Sequence, residues 1–261
     1  MLLERSETLI KHLFKEMIMK QISVGILETG LPPEEYREQF GSYPDMFKQL
    51  LNDCDQQIEC RYFHVLDDEI PQDPIICDAW LITGSKFGAY ESHPWIAPLS
   101  DFIRKAFEKD IAMIGICFGH QLIAQALGGR VIKSPKGWSL GVTQYSVDKP
   151  MHWMSEQATT FAIQAYHQDQ VVELPENTTV IAHSDFCPYA ALNFNDRAIS
   201  FQGHPEFSAA YTEKLLTNRR DQGLLPHLLS SVAIEGIQDT VQRPRVAHWI
   251  CDFLRYKLDR I

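Results

Sequence analysis

A cysteine flanked by two glycines places the tightest constraint on how this chain can fold. The pentapeptide Gly-Ile-Cys-Phe-Gly at 115–119 follows an apolar run, 111–116, and precedes a helix-forming stretch, 121–127. Glycine on both sides of a central residue is typical of a sharp turn from a buried strand into a helix, because larger side chains would collide there. Open α/β sheets place their sites at the carboxyl ends of such strands. The motif therefore predicts an α/β fold with Cys117 at the edge of a sheet.

The pattern around this motif agrees with that fold class. Strand-like apolar runs alternate with helical periodicity in the first half of the chain, which is typical of a parallel sheet covered on both faces. The predicted strands are 22–27, 58–66, 75–82 and 111–116, and the predicted helices are 34–51 with a break at 41–44, 95–107 and 121–127.

After Gly129 the pieces become shorter and are separated by turn signals, which indicates a smaller antiparallel β element. The predicted strands there are 130–133, 142–147, 161–166, 179–183, 189–194 and 198–202. Helices are expected at 208–221 and 245–258, with Pro244 just before the last one, and 222–242 is left open. We predict one domain over 21–261, with C-terminal helices from about residue 208.

The first twenty residues form a separate problem. Their apolar side chains fall on one face of a helix, and charged residues such as Glu4 and Lys11 interrupt any continuous apolar stretch. This pattern does not fit a signal peptide. We expect residues 1–20 to be a helical extension that packs on the domain, serves as the dimerisation arm of a homodimer, or simply precedes a domain that begins near Met19.

Composition excludes several classes of function. The chain carries 34 acidic and 24 basic residues and no long basic run, so nucleic-acid binding is not expected. No segment is long and apolar enough to predict a membrane span. Its six cysteines are scattered, which favours a reducing cytoplasm over a disulfide framework. Because metal-ligand spacing, a P-loop and a dinucleotide fingerprint are all missing, neither a metal nor a cofactor is expected.

Cys117 is the candidate nucleophile. The turn presents its sulfur at a helix N-terminus, which favours the thiolate form of a cysteine, as does a nearby imidazolium. The alternative is a small buried apolar side chain between two packing glycines, and the strand-turn-helix context argues against it. The sequence therefore predicts attack by Cys117 on an amide or other acyl carbonyl.

Two histidines compete as the base. His204 lies two residues before Glu206, and residues at i and i+2 of an extended chain point the same way, so the carboxylate can orient the imidazole. His167 has the same spacing to Asp169. Residue spacing favours His204 without excluding His167. A third histidine, His120, is expected to point away from Cys117.

Acyl transfer also requires donors for the oxyanion. The Phe118 amide is one, as in other turns of this kind. A second is expected from the glycine-rich segment 83–88, which follows the third predicted strand and lets backbone amides approach a substrate closely.

Two segments together resemble a known family. Gly-Ile-Cys-Phe-Gly-His-Gln-Leu-Ile-Ala-Gln-Ala-Leu-Gly-Gly at 115–129, with Gly-His-Pro-Glu at 203–206, resembles the class I, triad-type glutamine amidotransferase domain, and the likeness extends over about 22–207. It implies a flavodoxin-like three-layer sandwich. The resemblance also assigns site residues: a catalytic triad of Cys117, His204 and Glu206, oxyanion donors at Phe118 and at Gly84 or Ser85, and a substrate contact at Gln121. In this family the His-x-Asp segment near the site is not the catalytic pair.

The sequence departs from the family in two ways. Gly-Ser-Lys at 84–86 replaces the common Gly-Gly-Pro, and segments 83–85 and 91–95 look closer to γ-glutamyl peptidases and stand-alone GMP-synthase-like members. Only 54 residues follow Phe207, which we expect to be too few for an ATP-using synthase domain.

Three functions are consistent with these residues. The first is a hydrolase that cleaves glutamine or another γ-glutamyl small molecule through a cysteine thioester. The second is a glutaminase subunit that delivers ammonia to a separate synthetase. The third is a non-catalytic binding or regulatory module.

Overall fold

The computed structural model describes residues 21–238 and 241–259. The strands are β1 (Ile22–Glu28), β2 (Ile58–His64), β3 (Ala79–Ile82), β4 (Ala112–Ile116), β5 (Arg130–Lys133), β6 (Ser139–Val147), β7 (Thr160–His167), β8 (Asp169–Glu173), β9 (Thr178–His183), β10 (Ala191–Phe194) and β11 (Ala198–Phe201). The α-helices are α1 (Glu34–Phe40), α2 (Tyr43–Asn52), α3 (Ile96–Glu108), α4 (Phe118–Ala126), α5 (Ala209–Asp221), α6 (His227–Glu235) and α7 (Arg243–Leu258). Short 3₁₀ turns occur at Val65–Asp67, Pro74–Ile76 and Gly236–Gln238.

Nine of these strands form one mixed sheet in the order β2-β1-β3-β4-β11-β10-β9-β6-β7. The first five are mutually parallel, and the remaining pairings are antiparallel. β5 and β8 form a separate antiparallel pair. The predicted α/β class, with a flavodoxin-like parallel sheet and a smaller antiparallel element, is therefore confirmed, although antiparallel strands also extend the main sheet.

Helices cover both faces of the sheet, which gives three layers. Alternate residues of β1 and β4 divide between two apolar clusters, because successive side chains of a strand point to opposite faces. Ile114 belongs to the cluster on one face, together with Phe47 of α2 and Trp249 of α7. Met113 belongs to the cluster on the other face, together with Leu122 of α4 and Phe102 of α3. Burial on both faces explains why these strands are almost continuously apolar.

Three adjacent strands end at the same edge and carry the predicted site. β3, β4 and β11 are parallel neighbours in register, with Ile82 beside Gly115 and Phe201 beside Ile116. Their carboxyl ends lead into the loop at Gly84, into Cys117 and into the segment containing His204. This alignment brings together residues that lie more than 100 positions apart in the sequence.

Several predicted boundaries were wrong for local reasons. The third strand starts at Ala79 and not at 75, because Pro74 and the Asp73 side chain, which accepts from the Ile75 amide at 3.3 Å, turn the chain into a 3₁₀ helix. The second strand likewise ends at His64 in a 3₁₀ turn.

Helix boundaries differ too. α4 starts at Phe118, directly after the turn, and α7 starts at Arg243, which places Pro244 inside its first turn. The open segment contains α6, and β8 was not predicted. The predicted extension at 1–20 lies outside the described residues, so the division of the chain at residue 20 stays a prediction. Among the helices that the structure describes, none is long and apolar enough to cross a bilayer.

The glycines around Cys117 permit a close approach of α4 to the sheet. A methyl group added at Gly119 would lie 2.3 Å from the carbonyl oxygen of Ile82, and one at Gly115 would lie 2.6 Å from the backbone of Gly119. Backbone atoms inside a packed sheet and helix cannot move away cheaply. Glycine is therefore required at both positions because the neighbouring backbone leaves no room for a Cβ atom, and not because the chain must be flexible there.

We expect Gly119→Ala to lower the free energy of unfolding by about 3 kcal/mol, the upper end of the cost of overpacking. Helix propensity alone predicts the opposite, a gain of about 1 kcal/mol. The measurement is urea denaturation followed by circular dichroism.

Gly137→Ala is the matched control, because Gly137 is left-handed (φ 83°) but a methyl group there would have nothing within 4 Å. Its cost should be limited to about 1–2 kcal/mol of backbone strain. Equal losses in the two variants would contradict a steric role for Gly119.

Candidate active site

Cys117 occupies a strained turn between β4 and α4. Its φ of 51° and ψ of −100° lie outside the regions that residues with side chains ordinarily adopt. The side chain is 6% exposed and reaches a cleft of about 420 Å³, and its sulfur lies 4.0 Å from the carbonyl oxygen of Tyr166. The turn thus presents a thiol, at a helix N-terminus, to an open cavity.

His204 and Glu206 form a buried pair on the same edge. Nδ1 of His204 lies 2.7 Å from Oε1 of Glu206, and both side chains are at most 5% exposed. The His204 amide donates to the carbonyl of Gln164 at 2.7 Å, and the ring stacks on Phe207 at 4.1 Å between centroids and 8° between planes. Backbone, carboxylate and aromatic ring together hold the imidazole in one orientation.

The negative charge next to the His204 ring determines whether the imidazole is protonated. Burial alone lowers the pKa of His204, but the charges of Glu206 and Cys117 outweigh it and raise that pKa to about 10. At neutral pH the ring is therefore an imidazolium. Because Nδ1 is occupied by Glu206, the other nitrogen, Nε2, is the one that can exchange a proton with a ligand; a hydrogen bond with the Cys117 side chain also raises the pKa of this ring.

The competing histidines are placed differently. His167 is buried, and its Nδ1 lies 3.2 Å from the main-chain oxygen of Asp169, so the predicted His-x-acid spacing produces no imidazole-carboxylate pair. Burial lowers the pKa of His167 to about 4. His120 contacts Ser200 Oγ at 2.7 Å, and burial lowers its pKa to about 3. Both rings are neutral at pH 7, as expected for packed histidines.

The loop after β3 approaches both Cys117 and His204. A methyl group added at Gly84 would lie 2.9 Å from Cε1 of His204 and 3.7 Å from Cβ of Cys117. The Ser85 hydroxyl donates to the carbonyl of Thr29 at 2.6 Å, which ties the loop to the end of β1. With its hydroxyl used in this way, Ser85 can offer a ligand its backbone amide.

The remaining predicted residues flank this cluster. Phe118 is the first residue of α4, where an amide has no partner within the helix, and its ring packs on Trp95 at 5.4 Å. Gln121 lines the cleft, and its side-chain amide donates to the carbonyl of Asp169 at 2.9 Å and to Oε1 of Gln202 at 3.2 Å. Gln121 therefore links α4 to β8 and to the residue that follows β11, as well as facing the cavity.

Nothing in the sequence indicated the side chain that holds the backbone next to the Glu206 carboxylate. Arg243, at the start of α7, donates to the main-chain oxygens of Pro205 (2.7 Å) and Glu206 (3.0 Å). Burial lowers the pKa of Arg243, and the charge of Glu206 opposes part of that shift. Since 37 residues separate Arg243 from Glu206, no local pattern could have indicated this contact.

No cluster of three or more potential metal ligands occurs in the described part of the chain. The cleft walls instead mix charged and aromatic side chains. The lining side chains include Lys133, Trp138, Tyr166, Asp169, Arg219 and Leu224.

Comparison with known proteins identifies the family of this chain. Residues 41–220 match the family described as "Glutamine amidotransferase class-I". The chain belongs to this family. Gamma-glutamyl peptidase 4 of Arabidopsis thaliana is 33% identical over 191 residues, which cover 70% of this chain and 75% of that protein. A glutamine-hydrolyzing GMP synthase subunit of Halobacterium salinarum is 30% identical over 175 residues, covering 67% and 87%.

Solved structures show the same fold at lower identity. The crystal structure of a glutamine amidotransferase from Thermotoga maritima superposes with a TM-score of 0.73 at 17% sequence identity, covering 92% of this chain and all of that one. The class I amidotransferase fold predicted from the two motifs is thus confirmed.

The electrostatics of the buried pair can be tested by NMR titration of ¹⁵N-labelled histidines, with His204→Ala to assign the signal. We expect the His204 ring to titrate with a midpoint near pH 10. In Glu206→Gln this midpoint should fall by about two pH units or more, because without the adjacent carboxylate the effect of burial, which lowers the pKa, is less opposed.

The raised pKa of His204 in the folded protein also has a consequence for stability. Protonation of His204 stabilises the fold below about pH 6.5, and this contribution is lost as the pH rises toward 10.

Asp169→Asn serves as the control, since Asp169 does not contact the His204 ring, and it should leave the His204 midpoint unchanged. A His204 midpoint that is the same in the wild type and in Glu206→Gln would contradict the pairing.

Proposed function

We propose that this protein is a cysteine hydrolase that cleaves a γ-glutamyl amide through a thioester on Cys117. One observation carries the proposal: a strained, cleft-facing cysteine lies at the same sheet edge as a buried imidazolium-carboxylate pair, with the loop at Gly84 in contact range of both. Nucleophile, base and oxyanion donors are the parts that acyl transfer requires.

The first half-reaction forms the thioester. The Cys117 thiolate attacks the γ-carbonyl carbon, and the oxyanion accepts hydrogen bonds from the backbone amides of Phe118 and of Ser85 or Gly84. As the carbon–nitrogen bond breaks, the His204 imidazolium gives its Nε2 proton to the leaving amine. Glu206 stabilises the imidazolium and keeps its orientation.

The second half-reaction releases glutamate. Neutral His204 takes a proton from water, whose oxygen attacks the thioester carbon. The carbon–sulfur bond then breaks, which regenerates the thiolate beside an imidazolium. The net reaction consumes one water and yields glutamate and a free amine.

The cleft offers groups for the glutamyl half on the Gln121 side. Asp169 lies at the start of β8, and Lys133 at the end of β5 opposite it in the antiparallel ladder. Burial raises the pKa of Asp169, and the positive charge of Lys133 opposes that shift. A carboxylate and an ammonium at one position complement the α-ammonium and α-carboxylate of a glutamyl group.

Two kinds of leaving amine are consistent with the relatives. The name of the Arabidopsis relative favours γ-glutamyl peptides, and its match covers 75% of that protein. The archaeal relative is a GMP synthase subunit, which supports the second candidate, a glutaminase that supplies ammonia to a separate synthetase. We favour stand-alone hydrolysis, because Gly-Ser-Lys at 84–86 departs from the common amidotransferase loop.

Glutamate release from glutamine and from γ-glutamyl dipeptides is the direct assay. We expect dipeptide turnover by the wild type, a loss of at least about 10⁴-fold in Cys117→Ala, and a loss of about 10²–10⁴-fold in His204→Ala, since these remove the nucleophile and the proton carrier. Mass spectrometry of acid-quenched enzyme should detect the thioester in the wild type and not in Cys117→Ala.

His167→Ala is the matched control because it removes a second buried histidine of the same cleft. A greater loss in this variant than in His204→Ala would overturn the choice of base. Weak glutamine turnover that rises on adding a synthetase would support the ammonia-supplying function. Equal inactivity of the wild type and Cys117→Ala on every γ-glutamyl compound would support a non-catalytic module.

A further inference from the structure

Arg219, in the last turn of α5, places a half-buried guanidinium in the wall of the cleft. Its Nη1 donates to the side-chain oxygen of Gln222 at 3.1 Å, and the guanidinium interacts with the Tyr166 side chain. The neighbouring Arg220 pairs with Asp221, whereas Arg219 forms no ion pair with any described carboxylate. Withdrawing such a charge partly from water without a counter-ion is unfavourable, which suits a site that receives an anion.

The helix face that carries Arg219 begins at the His204 ring. Tyr211, Leu215 and Arg219 are spaced four residues apart and therefore share one face of α5. Tyr211 packs on Phe207 at 4.7 Å between ring centroids, and Phe207 stacks on His204. Leu215 and Arg219 then continue this face along the cleft. Arg219 is therefore on the His204 side of the cavity.

A second path connects the same residue to the nucleophile. The carbonyl oxygen of Tyr166 lies 4.0 Å from the Cys117 sulfur, while the Tyr166 side chain extends to Arg219. Trp138 packs on the Tyr166 ring at 5.5 Å. One tyrosine thus spans the distance from the reacting sulfur to the guanidinium, along a largely aromatic wall.

The direction of proton transfer in the proposed reaction determines which half of the substrate lies against the wall of Trp138, Tyr166 and Arg219. His204 gives its proton to the leaving nitrogen, so the leaving amine departs on the His204 side, and the glutamyl half occupies the side of Gln121 and Asp169. Leu224 adds an apolar surface beside Arg219. The aromatic and apolar side chains of this wall can pack against an apolar part of the leaving amine, and the Arg219 guanidinium can bind a carboxylate on the same amine.

We propose that Arg219 binds the carboxylate of a leaving amino acid or peptide, so that the protein selects γ-glutamyl compounds whose amine half has a free carboxylate. This inference rests on the proposed γ-glutamyl hydrolase function. Lys86 and Lys133 also line the cleft without an ion pair to any described carboxylate, but both are exposed. The Lys86 ammonium lies over the Phe87 ring at 5.2 Å, and Lys133 is on the glutamyl side, opposite Asp169. Arg219 is the one that is half-buried and oriented by neighbours.

A pair of substrates that differ in one group tests this directly: γ-glutamylalanine and γ-glutamylalaninamide. We expect the wild type to show the higher kcat/KM for γ-glutamylalanine. In Arg219→Gln this preference should fall by about 10- to 100-fold, the range for a charge-assisted hydrogen bond, while turnover of γ-glutamylalaninamide stays near the wild-type value. Arg219→Lys should retain part of the preference, because it keeps the charge but not the planar fork.

Arg220→Gln is the matched control: it removes the same charge one position further along α5, where Arg220 contacts Asp221 and Ser231, and it should keep the wild-type preference. An equal fall for both substrates in Arg219→Gln would show that Arg219 only supports the wall, which would overturn the inference. A wild type that cleaves both compounds without preference would also overturn it, with the proposed function intact. A wild type that cleaves no γ-glutamyl compound would overturn the proposed function, and this inference with it.

Discussion

The close contact between the start of α4 and the end of β3 determines the geometry of the whole site. Because nothing larger than hydrogen fits between Gly119 and the Ile82 carbonyl, the helix begins directly against the sheet. The chain must then reverse within one residue, and Cys117 takes up the strain with a positive φ. The same contact holds the loop at Gly84 beside Cys117, since Gly84 lies two residues after Ile82. Cys117 and the loop at Gly84 are therefore positioned by a single packing constraint.

The buried pair of His204 and Glu206 serves geometry more than stability. Taking an imidazolium and a carboxylate out of water costs several kcal/mol per ion, which their mutual attraction offsets only with good geometry and further hydrogen bonds. The second carboxylate oxygen of Glu206 has no described partner, so the pair is not fully satisfied. Arg243 holds the backbone beside the carboxylate, and Phe207 covers the imidazole face. The fold thus stabilises an orientation that the pair could not maintain on its own.

Contacts between residues that are close in the sequence were predictable, whereas contacts that form only when distant segments pack together were not. Glycines at 115 and 119 revealed the turn because a strand-to-helix reversal requires small neighbours, and the His-x-Glu spacing identified a pair because i and i+2 share a face. Spacing could not exclude His167, whose neighbour Asp169 offers its main-chain oxygen instead of its carboxylate. Arg243 and Arg219 carry no local signal, since their positions depend on how α7 and α5 pack after the sheet has formed. β8 was missed for a similar reason, because its pairing with β5 spans about forty residues.

The two sides of the cleft differ in what they can contribute to selectivity. In the proposed reaction, every γ-glutamyl substrate places its glutamyl half on the side of Gln121 and Asp169, so contacts there would stabilise all such substrates alike and could not discriminate among them. Trp138, Tyr166 and Arg219 line the other side, which in the proposed reaction faces only what lies beyond the scissile nitrogen. Ammonia has no atoms to place there, whereas an amino acid or peptide does. Under the proposed function, interactions with that wall would therefore lower the barrier for a peptide without affecting glutamine, and the same Cys117, His204 and Glu206 would serve either substrate depending on this one surface.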